Sequence, residues 1–236
     1  MPSNHPDLSS HCRLSENNDQ GEQSEIMLNF QEFFAACSGK WTIERSYHTL
    51  PGGEVERSHT EYRVEPLANA QKQQIIAQAA LAGIKLATAT SFDELPGFAI
   101  AFDTLSETGE AVSMRLQALF VPDKSVSSES TAHKLPAPIA AEVAPIEDTI
   151  HGFYLRDQGY SEPGAAVGRF SYQPTRQILE MTTYYRRSVA VDQMRMVAPN
   201  LRLRTIITYQ RPDNDTEKPS TIDLVGFGME QRQDLE

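Results

Sequence analysis

The chain has 236 residues, of which 39% are hydrophobic and 22% charged, and its formal net charge is −11. That balance excludes a protein whose affinity rests on a generally basic surface, so neither nucleic acid nor an anionic membrane is an expected partner. Two cysteines, Cys12 and Cys37, cannot build a disulfide framework, and no run of about 18 apolar residues or N-terminal apolar signal segment is present, which points to the reducing cytoplasm.

Residues 1–26 are almost wholly polar and read as a disordered leader, because they hold too little apolar surface to offset the entropy of ordering. In LNFQEFFAAC, Phe30, Phe33, Phe34 and Cys37 recur at helical spacing, and Ser38-Gly39 stops the helix. WTIERSYHTL and EVERSHTEYRV flank Pro51-Gly52-Gly53 and read as a hairpin. ANAQKQQIIAQAALAG is a second helix candidate. FAIAFDTL and AVSMRLQALFV follow as strands. Residues 124–145, rich in Ser, Pro and Ala, fit a mobile loop. After it come HGFYLRD, AAVGRFSY, QILEMTTYY, SVAVDQMRMV, LRLRTIITY and STIDLVGFGMEQ. Roughly ten short strands joined by polar turns imply one all-β domain over 27–236: an antiparallel barrel or sandwich, with the first helix closing one end. No internal repeat is visible.

The residues that could carry chemistry cluster late in the chain. Ala198-Pro199-Asn200 reads as a turn that sets Asp192 and Met194 beside the strand bearing Arg202 and Arg204. Those two arginines share one face. Pointing outward they are ordinary solvated charges; pointing inward they need anionic partners, among which Asp192, Glu180 and Glu230 are candidates. An inward pair would force Leu201 and Leu203 outward, so parity alone favours arginines on the outside. Trp41, Ile43, Arg45 and Tyr47 share a face that could form an aromatic wall with one cationic handle, or could simply plug the barrel while Arg45 reaches water. Glu180 lies opposite in parity to Met181, and either face of that strand could be buried. Arg156-Asp157 is an adjacent pair, not a catalytic constellation. Cys37 reads as a buried small hydrophobe and not as a nucleophile. Phosphate-binding glycine motifs, HExxH and CxxC are absent, and the six histidines show no ligand spacing, so no metal is expected.

The order of motifs resembles the S/U-type phycobiliprotein chromophore lyases, the CpcS/CpeS family. It is carried by FFAACSGKWTIERSYHTLPGGEVERSHTEYRVEPL, by LPGF, and by LRDQGY, GRF, EMTTYY, VDQM, LRLRT and LVGFGMEQR. The resemblance implies a lipocalin-like or fatty-acid-binding-protein-like barrel that binds an open-chain phycobilin. Such a protein assists thioether attachment of the pigment to a cysteine of an apo-phycobiliprotein α or β subunit. Phycocyanobilin or phycoerythrobilin would be the substrate, with no permanently bound cofactor. The motif positions place the family's pocket on Arg45, Asp192, Arg202, Arg204 and Glu230; Trp41, Met194 and Glu180, singled out by their strand positions, join them as candidate bilin contacts.

On that basis Asp192, assisted by Glu230, keeps the pyrrole nitrogens protonated, and Arg45, Arg202 and Arg204 hold the two propionates. Family members with Glu near the Asp192 position reach further than this chain's shorter Asp. The resemblance also admits a homodimer, a heterodimer with a sister lyase, a non-catalytic bilin carrier, or a partner subunit of a heterodimeric lyase.

Overall fold

Asn29 opens the first helix. In the computed structural model, which describes residues 27–132, 135–142, 146–160 and 162–233, its side chain accepts hydrogen bonds from the backbone N–H groups of Gln31 and Glu32. The Glu32 carboxylate in turn accepts from the N–H of Asn29, a reciprocal cap that satisfies otherwise orphaned donors. The polar leader and Cys12 lie outside the described residues. Helix α1 (Phe30–Cys37) has only 8 residues, too few to be stable alone, so packing must hold it. Its four-residue apolar face of Phe30, Phe33, Phe34 and Cys37 is buried. At about 2 kcal/mol for each large side chain, that burial exceeds the contribution of the cap, about 1 kcal/mol. Gly39 then adopts φ +121°, a conformation that side chains disfavour, and turns the chain into the first strand.

The strands are β1 (Gly39–Thr49), β2 (Val55–Pro66), β3 (Gly97–Ser106), β4 (Ala111–Pro122), β5 (Ile150–Arg156), β6 (Ala166–Gln173), β7 (Ile178–Tyr184), β8 (Ser188–Ala198), β9 (Leu201–Gln210) and β10 (Ile222–Arg232). Each pairs antiparallel with its sequence neighbour, and β1 pairs with β10 from Trp41↔Arg232 to Thr49↔Leu224, closing a ten-stranded barrel. Closure leaves no unpaired edge in the sheet of the described residues. Helix α2 (Asn69–Leu81) lies outside, where Ile75 and Ala79 cover Leu119, Val121, Phe153 and Leu155. Strands β4 and β5 are therefore apolar on both faces, which explains the unbroken runs ALFV and FYL.

The lumen is filled at one end and hollow at the other, and residue size decides which. At the α1 end the inward positions are large: Leu116, Phe120, Tyr172, Leu179, Met194 and Met196 pack on the helix. Towards the far end they shrink to Thr60, Thr104, Thr183, Ser188, Ala190 and Thr208, and these side chains line a cavity. On β9 the outside placement favoured by parity is reversed. Arg202 is 1% exposed and Leu203 is 45% exposed, so the arginines face the lumen. Leu203, paired in register with the likewise exposed Met229, costs a modest amount on the solvated wall, whereas the arginines find carboxylates inside. The described part of the 124–145 stretch crosses the outer wall. There Ala140 donates its N–H to Tyr209 at 3.3 Å and accepts from Gln193 Nε2 at 3.0 Å.

Candidate functional site

The hairpin joining β8 and β9 sets Met194 opposite Arg204 and Asp192 opposite Ile206, while β9–β10 pairing sets Arg202 opposite Glu230. Inward alternation of these three strands therefore stacks the ionisable groups in one column. Arg202 lies at the bottom, with its guanidinium 3.6 Å from the centre of the Trp41 ring. The Trp41 indole donates to Cys37 O at 3.0 Å, tying the column to α1. Arg202 also donates to the Tyr62 hydroxyl. Its Nε approaches Glu230 Oε2 at 2.8 Å, at an angle that makes the contact an ion pair without a hydrogen bond. The second Glu230 oxygen accepts from Arg204 Nη1 at 3.1 Å. Arg204 in turn grips Asp192 with both a 2.8 Å and a 2.6 Å hydrogen bond.

Two guanidiniums and two carboxylates thus alternate and neutralise one another. Glu230 is fully buried. Burial pushes its carboxyl upward, but Arg202 and Arg204 outweigh that and hold it below the usual carboxylate range. Burial raises the Cys37 thiol despite the nearby Arg202, so the one described cysteine is a poor nucleophile.

Above this column opens a cavity of about 570 Å³, within the usual range for a small-molecule site. Asp192, Arg204 and Glu230 line its floor, and Arg45 lines its wall. Arg45 Nη1 donates to the Tyr47 hydroxyl at 2.7 Å. Room for that tyrosine comes from Gly226, where an added Cβ would sit 2.6 Å from the Tyr47 ring. Other residues expected at the site lie elsewhere. Trp41 and Arg202 are beneath the floor, and Met194 belongs to the packed core against α1. Glu180 has the opposite parity to Met181, which does line the cavity. Its side chain is on the outer wall, accepting from Gln193 Nε2 at 3.4 Å, and burial pushes its carboxyl up to about 7.

The structure also assembles a group that no sequence motif marks. Tyr154, Arg156, Tyr160 and Tyr185 line the wall opposite the charge column. A signal was present: in HGFYLRD the strand is apolar on both faces, and Arg156 shares its parity with Tyr154. A lone arginine in such a strand must be buried with it.

Two overlapping segments, 29–133 and 124–233, match the model of the CpeS-like protein family. A protein of Synechococcus sp. (strain JA-3-3Ab) named chromophore lyase CpcS/CpeS 1 is 37% identical over 206 residues, which is 87% of this chain and 97% of the relative. The chain belongs to the CpeS-like family. It is also similar to a chromophore lyase CpcS/CpeS of Thermosynechococcus vestitus, 25% identical over 77% of this chain and 85% of that one. Among solved structures, the S-type phycobiliprotein lyase CPES of Guillardia theta superposes with a TM-score of 0.60, at 15% identity, covering 89% of this chain and 95% of that one. At that identity the likeness speaks for the fold. Barrel, closing helix and lumen column are thus features of a CpeS-like protein.

Proposed function

We infer that this protein is a phycobiliprotein bilin lyase. It holds an open-chain tetrapyrrole in the barrel and presents it to a cysteine of an apo-phycobiliprotein subunit. The observation that carries this reading is a lumen open at one end, with a carboxylate clamped at its floor. A bilin offers a row of pyrrole N–H donors on an apolar π-system, and Asp192 offers acceptor oxygens beneath an apolar wall. Arg204 fixes the Asp192 carboxylate from the side, so its orientation is set before the ligand arrives.

On this reading Asp192 favours the protonated tetrapyrrole, a better electrophile at the ring A ethylidene carbon. The partner's thiolate adds there: the C–S bond forms as the ethylidene π bond opens into the conjugated system, and a proton ends on the adjacent ring carbon. Arg204 acts as the support of Asp192 and Glu230 as the support of Arg204, so Arg204 need not bind a propionate. The buried Cys37 takes no part, and the reacting thiol belongs to the acceptor.

Co-expression with apo-subunits and a bilin supply tests the reading. Covalent pigment that survives denaturation supports it. An absorbance shift without covalent pigment would make the protein a carrier, and neither outcome would remove the bilin from the account. The same experiment with phycocyanobilin and phycoerythrobilin reports which pigment the cavity accepts.

A further inference from the structure

Arg156 stands apart from the charge column. It sits on β5, four places round the ring from β9, and is 2% exposed. Its guanidinium lies 4.6 Å from the ring centre of Tyr160, 5.4 Å from that of Tyr154 and 5.6 Å from that of Tyr185. One Nη donates to the Tyr185 hydroxyl, while Nε is buried without a partner. No carboxylate of the described residues forms an ion pair with it. The neighbouring Asp157 is turned away and accepts instead from the N–H of Gln117 at 2.8 Å.

A buried guanidinium with neither a carboxylate nor a full set of acceptors is costly, and aromatic faces offset only part of that cost. Such a group is retained where an anion arrives from outside. Arg202 and Arg204 cannot fill that role without giving up their own carboxylates. That leaves Arg156 and Arg45 as the cavity-lining arginines without a described ion pair, and a bilin brings two propionates.

We propose that Arg156, boxed by Tyr154, Tyr160 and Tyr185, is a carboxylate anchor that takes one propionate of the bilin. This rests on the bilin-binding reading above. The guanidinium supplies a flat, two-pronged donor, and the tyrosines exclude water from it. Tyr160 is 49% exposed at the rim, so the box can open towards the cavity mouth.

The test compares phycocyanobilin with its dimethyl ester, by absorbance titration against wild type, Arg156→Gln and Arg45→Gln. Wild type should bind the free acid about tenfold to a hundredfold more tightly than the ester. Arg156→Gln should lose about tenfold or more for the acid and little for the ester. Arg45→Gln keeps the Arg156 box intact, so it should retain a preference for the acid. That comparison holds even if Arg156→Gln does not fold. Equal losses for acid and ester in Arg156→Gln would make the residue structural and overturn the proposal. Loss of all acid preference in Arg45→Gln would overturn it as well. Absence of any spectral shift with wild type would instead sink the bilin reading itself, a separate failure.

Discussion

Replacing Asp192 by Asn keeps the shape of the floor and removes its charge. The Asp192 side chain is 20% exposed, and Arg204 binds it through two hydrogen bonds while also holding Glu230 at 3.1 Å. The amide oxygen can still accept one of those bonds, and Glu230 still neutralises part of the Arg204 charge. The expected loss of stability is therefore about 1–2 kcal/mol, a fall of about 5 °C in Tm for a domain of this size. The functional loss should be larger. Hydrogen bonds to a carboxylate are about twice as strong as neutral ones, so bilin affinity should fall on the order of tenfold. The neutral amide also no longer favours the protonated pigment, so covalent transfer should fall further than binding does. Thermal unfolding followed by circular dichroism reads the first quantity, bilin titration the second, and zinc-stained covalent product on denaturing gels the third. Transfer at the wild-type rate by a folded Asp192→Asn protein would refute the assigned role.

Three further outcomes follow from the same geometry. Glu230→Ala leaves the buried Arg202 without a carboxylate, so it should cost about 3–5 kcal/mol and lower Tm on the order of 10 °C in thermal melts. Glu180, pushed up to about 7 by burial, is protonated more readily folded than unfolded; its stabilising effect is complete below about pH 4 and lost as pH rises through 7. The swing should approach about 3 kcal/mol, and urea unfolding at pH 5 and pH 8 should show it shrink in Glu180→Gln. Cys37→Ala should cost about 1–2 kcal/mol through lost packing under α1 and leave covalent transfer intact, as measured by pigment yield per folded protein.

The fold could be read from the sequence because its signals are local. The spacing of Phe30, Phe33, Phe34 and Cys37 defines a helix face, and alternation with turns defines strands. The site was harder, because the direction in which a β side chain points is a property of the whole barrel. For Arg202 and Arg204 the neighbouring leucines argued for the wrong face. Leu203 tolerates water at modest cost, whereas the arginines are held by Asp192 and Glu230 on strands whose register no local pattern reveals. Glu180 and Met181 show the same ambiguity, and the structure puts the methionine inside. Arg156 is masked in the sequence by Asp157, beside which it looks like one adjacent charged pair. Its two apolar strand faces were the better clue.

The electrostatics of the lumen run against those of the chain. Among the described residues, Arg45, Arg156, Arg202 and Arg204 face the two carboxylates Asp192 and Glu230, an excess of two positive charges inside a protein whose net charge is −11. Surface carboxylates beyond a Debye length of about 8 Å are screened by salt, whereas groups inside the lumen act on a ligand through a medium of lower dielectric constant. On the proposed reading a dianionic bilin therefore meets an attractive interior despite the acidic exterior. Once its two propionates are paired, the interior is close to neutral, and little protein charge remains to draw a thiolate inward. The positive charge that activates the pigment must then reside on the tetrapyrrole itself. On the proposed reading that task falls to the Asp192 carboxylate, positioned by Arg204, while the acceptor cysteine approaches through the open end.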